Sequence, residues 1–386
     1  METAKVRGLR RRRGWRAAGS AMLVSAVLGV SAAPAHADNN GRDDQGRGNT
    51  RVTQTNLVAN RDGFGATIVD PDLQNAWGMS KFPTSPVWVS NNHSGTSTLY
   101  KGGSAADPSA VAKIGLTVSI AGPPTGQVAN GAPGFNLANA TAALFIFATE
   151  DGRLFAWNQS AGTTAEQTAM VDGANFKGLA QGMVDTTPYL YAADFAHGSI
   201  DVFDNTWTMQ DWAGAFHVRH LPKGFSPFNV QVLTDHKGRQ HVFVAYALLD
   251  PTTGDEVAGR GLGLVAEFTT DGQFIRRFVS NSLNAPWGLA YAPDSWGKAA
   301  GDLLVGQFGN GRIEMFDPRS GHHDGTVRDE NGHKLEIDGL WALMPGDATS
   351  GGAGSMLFTA GPNEEVDGLY GVLTFVPRTD HGHGDD

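Results

Sequence analysis

The stretch NAPWGLAYAPDSWGKAAGDLLVGQFGNGRIEMFDP, residues 284–318, decides the fold. It contains an apolar run, a Gly-rich loop, a second apolar run, the tight turn FGNG, and a third run in which apolar and polar residues alternate. Alternation with a period of two residues, interrupted by Gly-rich turns, is typical of short β-strands joined in sequence. The stretch therefore predicts three consecutive strands in one compact unit.

This unit recurs along the chain. The segment LLVGQFGNGRIEMFD matches YLYAADFAHGSIDVFD, residues 189–204, nearly position for position, and LFIFATEDGRLFAWN, residues 144–158, is a third copy. Looser copies are VWVSNNHSGTSTLY (87–100), VFVAYALL…GLGLVAEF (242–268, with a polar insert at 250–260) and MLFTAGPNEEVDGLYGVLTF (356–375). Six copies of one strand unit indicate a repeat architecture.

The start of the unit recurs independently, as a bulky residue followed by Gly, Asn or Ala and then an aliphatic residue. The motifs are AWGM, GFNL, FKGL, PFNV, PWGL and LWAL, with the bulky members Trp77, Phe135, Lys177, Phe228, Trp287 and Trp341. Their separations run from 42 to 59 residues. Four strands in each of six such repeats predict an all-β fold, a six-bladed β-propeller of four-stranded blades.

The termini predict how the ring closes. The last repeat ends after its third strand, and TQTNLVA, residues 53–59, alternates as a strand before the first repeat. We expect this N-terminal strand to supply the missing outer strand of the sixth blade, which would leave few sheet edges exposed.

The segment PWGLA…LLVGQFGNGRIEMFD resembles the NHL-type blade, in which P-x-G-[LI]-A opens the inner strand and N-x-R-[IV]-x-x-[FY] ends the third. More closely, GDLLVGQFGNGRI together with NLVA is similar to an uncharacterised secreted propeller family, some members of which carry a PEP-type C-terminal sorting signal. The resemblance covers roughly residues 52–377 and implies the fold but no activity. Because this chain ends in HGHGDD, it departs from the anchored members and is expected to be released freely.

The N-terminal residues predict export. Residues 1–37 combine a basic segment, a short apolar run and the small-x-small sequence AHA, which together are typical of a cleaved signal peptide, by the general secretory or the twin-arginine route. Residues 38–51 are interpreted as a flexible polar arm, 52–377 as the propeller and 378–386 as a disordered tail. The predicted localisation is therefore secreted and extracellular.

Composition limits the partners. The 386-residue chain has no cysteine and a formal charge of −10, and residues 1–37 carry a formal +6 (seven Lys/Arg against one Glu), so the remainder carries −16. Such a chain repels nucleic acid and anionic lipid. We expect an unknown extracellular ligand or protein as partner, no nucleic acid, no stable membrane anchor and a monomeric state.

The familiar catalytic motifs G-x-S-x-G, H-E-x-x-H and G-x-x-x-x-G-K do not occur. In a four-stranded blade, the loop before the inner strand and the loop between strands two and three lie on one face, around the mouth of the central channel. These loops carry acidic and amide side chains, and oxygen ligands suit a hard cation such as Ca²⁺. The predicted ligand-binding residues are Asn75, Asn91, Asn284 and Gln307, and the predicted metal ligands are Glu150 and Asp194.

Two functions remain open from the sequence. The first is a secreted binding or scaffold propeller that binds a divalent cation at the central mouth. The alternative is a metal-dependent hydrolase or lyase resembling gluconolactonase-type propellers, a class that holds one divalent ion in the pore. Trp77, Trp287 and Trp341 open inner strands near the same mouth, where interblade packing is favoured over stacking on a sugar ring.

Overall fold

The computed structural model describes residues 49–377. The predicted signal peptide, the tail and residues 38–48 of the predicted arm lie outside the described residues. The last two residues assigned to that arm, Thr50 and Arg51, pair with Arg328, and the amide of Arg328 donates to the carbonyl of Thr50 over 2.9 Å. No helix in the described part of the chain has the length and apolar character needed to cross a membrane.

Six antiparallel sheets of four principal strands form a ring, and each inner strand packs against the inner strands of two neighbouring blades. The predicted six-bladed propeller is therefore confirmed. From inner to outer strand, the blades are Ala76–Ser80, Val87–Asn91, Thr96–Ser104 and Ala112–Ser119 (blade 1); Pro124–Ala129, Phe145–Thr149, Arg153–Trp157 and Glu166–Met170 (blade 2); Phe176–Val184, Thr187–Asp194, Ser199–Asp204 and Met209–Gln210 (blade 3); Phe225–Thr234, Gln240–Leu249, Gly263–Phe268 and Phe274–Phe278 (blade 4); Pro286–Tyr291, Leu303–Gln307, Ile313–Phe316 and His323–Thr326 (blade 5); and Leu340–Pro345, Met356–Ala360, Leu369–Phe375 and Val52–Ala59 (blade 6).

A few short elements supplement the blades. The polar insert of blade 4 forms the strand Glu256–Val257, which pairs with Gln240–Leu249. The two-residue strands Ile68–Val69 and Ser350–Gly351 run parallel to the outer strand of blade 6 and to the third strand of blade 1. Three 3₁₀ turns complete the described structure, at Pro108–Ala110, Gln159–Ala161 and Gly297–Ala299.

The N-terminal strand closes the ring, as the sequence predicts. Val52–Ala59 pairs antiparallel with Leu369–Phe375, in a register that sets Val52 opposite Phe375 and Ala59 opposite Leu369. Just beyond this strand, the guanidinium of Arg61 donates to both carboxylate oxygens of Asp367, at 2.7 and 2.6 Å. Backbone pairing and an ion pair therefore join the two ends of the propeller.

The apolar residues of the described chain pack in seven clusters. Six of these clusters each lie between two neighbouring blades, as where Trp88 of blade 1 stacks on Phe145 of blade 2 with ring centroids 4.0 Å apart. A single blade would leave both faces of its sheet in water, so the stacking of blades supplies the core. The seventh cluster lies on the central axis.

Glycines near the start of the inner strands let the blades converge. A methyl group on Gly126 would lie 2.2 Å from the backbone nitrogen of Leu179 in blade 3, and one on Gly78 would lie 2.5 Å from the carbonyl oxygen of Thr125 in blade 2. Both distances are far below van der Waals contact. The small residue in the repeated motif is therefore required for close approach of backbones at the axis.

Candidate functional site

The residue that precedes the small residue of each inner-strand motif points toward the axis. In the order of the blades these residues are Trp77, Thr125, Lys177, Phe228, Trp287 and Trp341. The indole of Trp77 stacks on that of Trp341 from blade 6 at 3.8 Å and meets that of Trp287 from blade 5 edge-on at 6.5 Å. The three indoles are at most 4% exposed, so the aromatic residues plug the channel and leave no ring face for a sugar.

One assignment in the repeat was wrong. Phe135 does not open an inner strand; it lies in the loop before Phe145–Thr149 with a left-handed backbone (φ 51°) and packs edge-on against Trp207 of blade 3 at 5.2 Å. The inner strand of blade 2 is PTGQVA, Pro124–Ala129, with Thr125 at the axial position. The sequence did not identify Thr125 as the axial residue because it is small and polar where the motif otherwise has a bulky residue. The Pro-x-Gly pattern of PWGL is nevertheless retained there.

Lys177 is the charged member of the axial set, and its side chain is 3% exposed. Its ammonium lies 2.7 Å from Oε1 of Glu150 in blade 2, and 5.3 Å from the ring centroid of Trp77 in blade 1. Its carbonyl accepts the indole N–H of Trp287 in blade 5 over 3.0 Å. A residue that contacts blades on every side of its own must lie at the centre of the ring.

Blade 4 adds two more carboxylates to this centre, from the polar insert. Asp255 and Glu256 lie 3.7 and 4.0 Å from the ammonium of Lys177. Burial disfavours the charged form of Lys177, but Glu150, Glu256 and Asp255 together outweigh it and raise its pKa above the ordinary value. Lys177 is therefore a fixed cation at neutral pH.

Amide side chains connect the remaining mouth residues. Asn75 donates to Oε1 of Glu365 over 2.9 Å and accepts the indole N–H of Trp341 over 2.8 Å. Asn92 donates to Oε2 of Glu150 over 2.9 Å and accepts a longer bond of 3.5 Å from Asn75. One network thus runs from Glu365 through both amides to Glu150 and Lys177. We call this network, together with Asp255 and Glu256, the mouth network.

Carboxylates outnumber cations in the mouth network, and their pKa values reflect this. Burial raises the pKa of Glu256 to about 7, against the opposing charge of Lys177 and with help from Glu365 and Asp255. Burial also raises the pKa of Glu365, against the hydrogen bond from Asn75 and the charge of Lys177. Four carboxylates around one ammonium leave a formal excess of negative charge at the channel mouth.

The loop that carries Glu365 has an unusual backbone. Asn363, Glu364 and Glu365 are consecutive residues with φ of 57°, 55° and 66°, in the left-handed region that side chains other than Gly and Asn seldom adopt. Such conformations cost of order 1–3 kcal/mol each and concentrate at ligand-binding and catalytic sites. The conformation sets Glu365 beside Asn75 at the mouth.

The structure brings only two of the six predicted site residues, Asn75 and Glu150, into this network. Asn91 donates to the hydroxyls of Thr96 and Thr98 in its own blade, and Gln307 donates to Glu314 over 3.3 Å. These side chains were expected to converge on one ion. They do not, because the end of a second strand faces the third strand of its own blade, whereas the inner strand lines the channel.

Asp194 and Asn284 also satisfy local partners. The carboxylate of Asp194 accepts three backbone N–H groups at 3.1 Å and lies 2.6 Å from the ring nitrogen of His197, in the turn after its strand. Asn284 accepts the amide of Gly259 over 2.6 Å and so fastens the insert of blade 4. Glu150 and Asp194 therefore act in separate contacts, and among residues 49–377 no three acidic or histidine side chains are grouped as a metal-binding cluster.

Sequence reasoning treated Lys177 as one of the bulky residues of a motif and did not single out Glu256. A signal was available in both cases. Lysine replaces an aromatic side chain at a position that otherwise faces the axis, and an axial charge requires a counter-charge. The acidic residues of the insert DPTTGDEVAGR were the available counter-charges, and two of them, Asp255 and Glu256, take that role.

Comparison with known proteins identifies relatives of this chain by sequence. No protein-family model matches the chain. Uncharacterized protein R648 of Acanthamoeba polyphaga mimivirus is 30% identical over 332 residues, which cover 82% of this chain and 78% of the relative. The chain belongs to the R648 family. Uncharacterized protein L690 of the same virus is 29% identical over 335 residues, covering 82% of the chain and 84% of the relative.

Solved structures resemble the R648-family chain in fold. An α-L-arabinofuranosidase of Fusarium graminearum, with an iminosugar inhibitor, has a TM-score of 0.50 and 9% identity, covering 85% of this chain and 98% of the enzyme. A streptogramin B lyase has a TM-score of 0.48 and 9% identity over the same shares. A putative gluconolactonase has a TM-score of 0.38 and 18% identity, covering 61% of this chain and 74% of that protein. At these identities the similarity concerns the fold alone.

Proposed function

We propose that the protein is a binding protein that takes a cationic ligand at the mouth of its central channel, outside the cell. The observation that carries this proposal is the charge imbalance of the mouth network, in which Glu150, Asp255, Glu256 and Glu365 surround the single ammonium of Lys177. A second cation would lower the repulsion between these carboxylates. Burial raises the pKa of Glu256, and repulsion from Glu365 and Asp255 adds to this effect.

Two further features support a ligand at this position. The consecutive left-handed residues Asn363–Glu365 hold a carboxylate at the mouth at a conformational cost, which is a recurrent property of binding loops. The aromatic plug below closes the channel, so a ligand would remain at the mouth, near the 60%-exposed side chain of Asp255. Both features lie on the face where the sequence predicts the site.

Binding is favoured over metal-dependent hydrolysis by the position of Lys177. Its ammonium lies among the carboxylates, and a divalent ion there would meet a fixed positive charge. We therefore place the cationic ligand above Lys177, toward Asp255, Glu256 and Glu365. Carboxylates bind organic amines and hard metal ions such as Ca²⁺ alike, and because no three acidic side chains within residues 49–377 form a metal-binding cluster, an organic amine is favoured.

The test is thermal unfolding with CaCl₂ or 1,4-diaminobutane added, against NaCl at matched ionic strength. At a ligand concentration tenfold above Kd, binding stabilises the native state by about 1.4 kcal/mol. We expect the resulting rise in Tm to disappear in Glu256→Gln and to persist in Asp185→Asn, an exposed carboxylate in the turn between the first two strands of blade 3. No rise with either cation, or equal rises in both variants, would refute the proposal.

A further inference from the structure

A second cleft lies on the face opposite the mouth, between blades 4 and 5. Its volume is about 750 Å³, and its lining comes from the turn after Phe225–Thr234, the outer strands of blade 4 and the loops of blade 5 on that face. This volume falls within the range of roughly 300–1,000 Å³ that small-molecule sites occupy. None of the mouth residues contributes to it, so the cleft is independent of the function proposed above.

The floor of the cleft is a buried charged cluster. Glu267 is 4% exposed, and its two carboxylate oxygens lie 2.9 Å from Nδ1 of His241 and 2.8 Å from Nε of Arg276. Arg276 therefore offsets the charge of the Glu267 carboxylate, and His241 contacts its other oxygen. A buried carboxylate requires a counter-charge of this kind.

The rim of the cleft offers cations without partners. Asp235 is already bound by Arg239, with contacts of 2.7 and 2.9 Å. By contrast, the exposed side chains of Lys237 and Arg319 form no ion pair within residues 49–377, although both line the cleft. Asp294 is exposed in the same lining, so these two cations exceed the remaining carboxylate by one charge, in a chain whose formal net charge is −10.

An apolar wall completes the site. Tyr291 is half-buried at the end of the inner strand of blade 5, and Pro318 lies beside Arg319 in the turn between the third and fourth strands. A flat or apolar ligand body could pack against the tyrosine ring while its charged group stays at the rim. Ligand pockets commonly combine an apolar wall with a few polar groups in this way.

We propose that the cleft between blades 4 and 5 binds a small oxyanion-bearing molecule, with its carboxylate or phosphate group between Lys237 and Arg319 and its body against Tyr291. Arg239 pairs with Asp235 and Arg276 with Glu267, so Lys237 and Arg319 face one remaining carboxylate of the lining, Asp294, and the net charge at the rim favours an anion. The mouth and this cleft thus select ligands of opposite charge on opposite faces of one ring.

The test uses isothermal titration calorimetry of the full chain with inorganic phosphate and, separately, with benzoate. We expect saturable binding of at least one probe that weakens as ionic strength rises. Tighter binding of phosphate would identify a phosphate-bearing ligand, and tighter binding of benzoate a carboxylate with an apolar body. Replacing Arg319 or Lys237 by Gln should weaken binding by about tenfold, since each removes one charge-assisted hydrogen bond.

The matched control is Arg260→Gln, an exposed arginine that does not line the cleft. It should leave affinity unchanged, and circular dichroism should show that all three variants are folded. Absence of saturable binding by both probes in the wild-type chain would overturn the proposal. So would an equal loss of affinity in Arg319→Gln and Arg260→Gln, because binding would then depend only on overall charge.

Discussion

The indole rings of Trp77 and Trp341 stack with centroids 3.8 Å apart and an angle of 18° between their planes, although 264 positions separate the two residues. This stack joins the first blade to the sixth at the axis, just as the pairing of Val52–Ala59 with Leu369–Phe375 completes the sixth blade at its outer edge. The ring is therefore closed twice, at its centre by side chains and at its rim by backbone.

Close approach of the inner strands should depend on Gly126. A methyl group there would lie 2.2 Å from the backbone nitrogen of Leu179, which cannot move without shifting blade 3. We expect Gly126→Ala to destabilise the protein by about 1–3 kcal/mol or more. Gly115→Ala is the control, because a methyl group there meets nothing within 4 Å. Urea unfolding followed by tryptophan fluorescence compares the two, and equal midpoints would contradict the argument.

Removal of the axial charge should be costly. In Lys177→Met the partly buried carboxylate of Glu150 and the buried carboxylate of Glu256 lose their counter-charge, and breaking a buried ion pair costs about 3–5 kcal/mol. Lys223→Met, at an exposed position, should change the free energy of unfolding by less than about 0.5 kcal/mol.

A double-mutant cycle sharpens this prediction. Adding Glu256→Gln to Lys177→Met should recover part of the loss, because the second substitution removes one of the stranded charges. Strictly additive changes in the free energy of unfolding of the two single variants and the double variant would show that Lys177 and Glu256 do not interact.

Stability should depend on pH through Glu256, which is faced by Lys177, Asp255 and Glu365. Its pKa is raised from 4.5 to about 7 in the folded chain, so between these values the unfolded chain loses a proton that the folded chain keeps. Ionisation of the unfolded chain therefore lowers the wild-type free energy of unfolding as pH rises from 4.5 to 7, and this loss is absent below pH 4.5.

The Glu256→Gln variant cannot lose this proton. Relative to wild type, it should gain stability on the order of a few kcal/mol across that interval. Chemical unfolding of both chains at several pH values measures the difference, in which other titrating groups largely cancel. A difference that stays constant from pH 4.5 to 8 would show that Glu256 has an ordinary pKa.

Closure at the rim should require Leu57. Its side chain is fully buried in the apolar cluster between blades 6 and 1, and a methyl group on Gly103 of blade 1 would come within 3.1 Å of it. We expect Leu57→Ala to cost about 2–5 kcal/mol. Thr53→Ala, a half-buried position on the same strand, should cost less than about 1 kcal/mol, and a larger effect at Thr53 than at Leu57 would place the closing contact elsewhere.

The architecture could be predicted from the sequence because the same strand pattern recurs in every blade. Alternating strands and the inner-strand motif each occur six times, so a single misassignment, Phe135 for Thr125, did not change the number of blades. The closing strand was predictable for a related reason: the sixth repeat lacked one strand, and residues 53–59 were the free segment with the right alternation.

For the site, the sequence predicted the face of the ring on which the mouth network lies but not most of the residues that form the network there. Loops around the mouth were identified, but Asn91, Asp194 and Gln307 turned out to bond within their own blades, since register along a strand does not give the direction of a side chain relative to the axis. Lys177 and Glu256 come from blades 3 and 4, and their contact depends on the three-dimensional path of an insert. The cleft between blades 4 and 5 likewise joins loops that no single repeat contains.

The pairing of Val52 with Phe375 also determines how long the first strand remains unpaired during synthesis. The two residues are 323 positions apart, and ribosomes add roughly 5–20 residues per second, so the first strand waits roughly 16–65 s for its partner. During that interval its backbone donors and acceptors and the apolar side chains of Leu57 and Val58 have no native cover, and an unpaired edge is the part of a β-protein most prone to join another chain. Until its last strand has been synthesised, the nascent chain therefore depends on other molecules to cover its first strand.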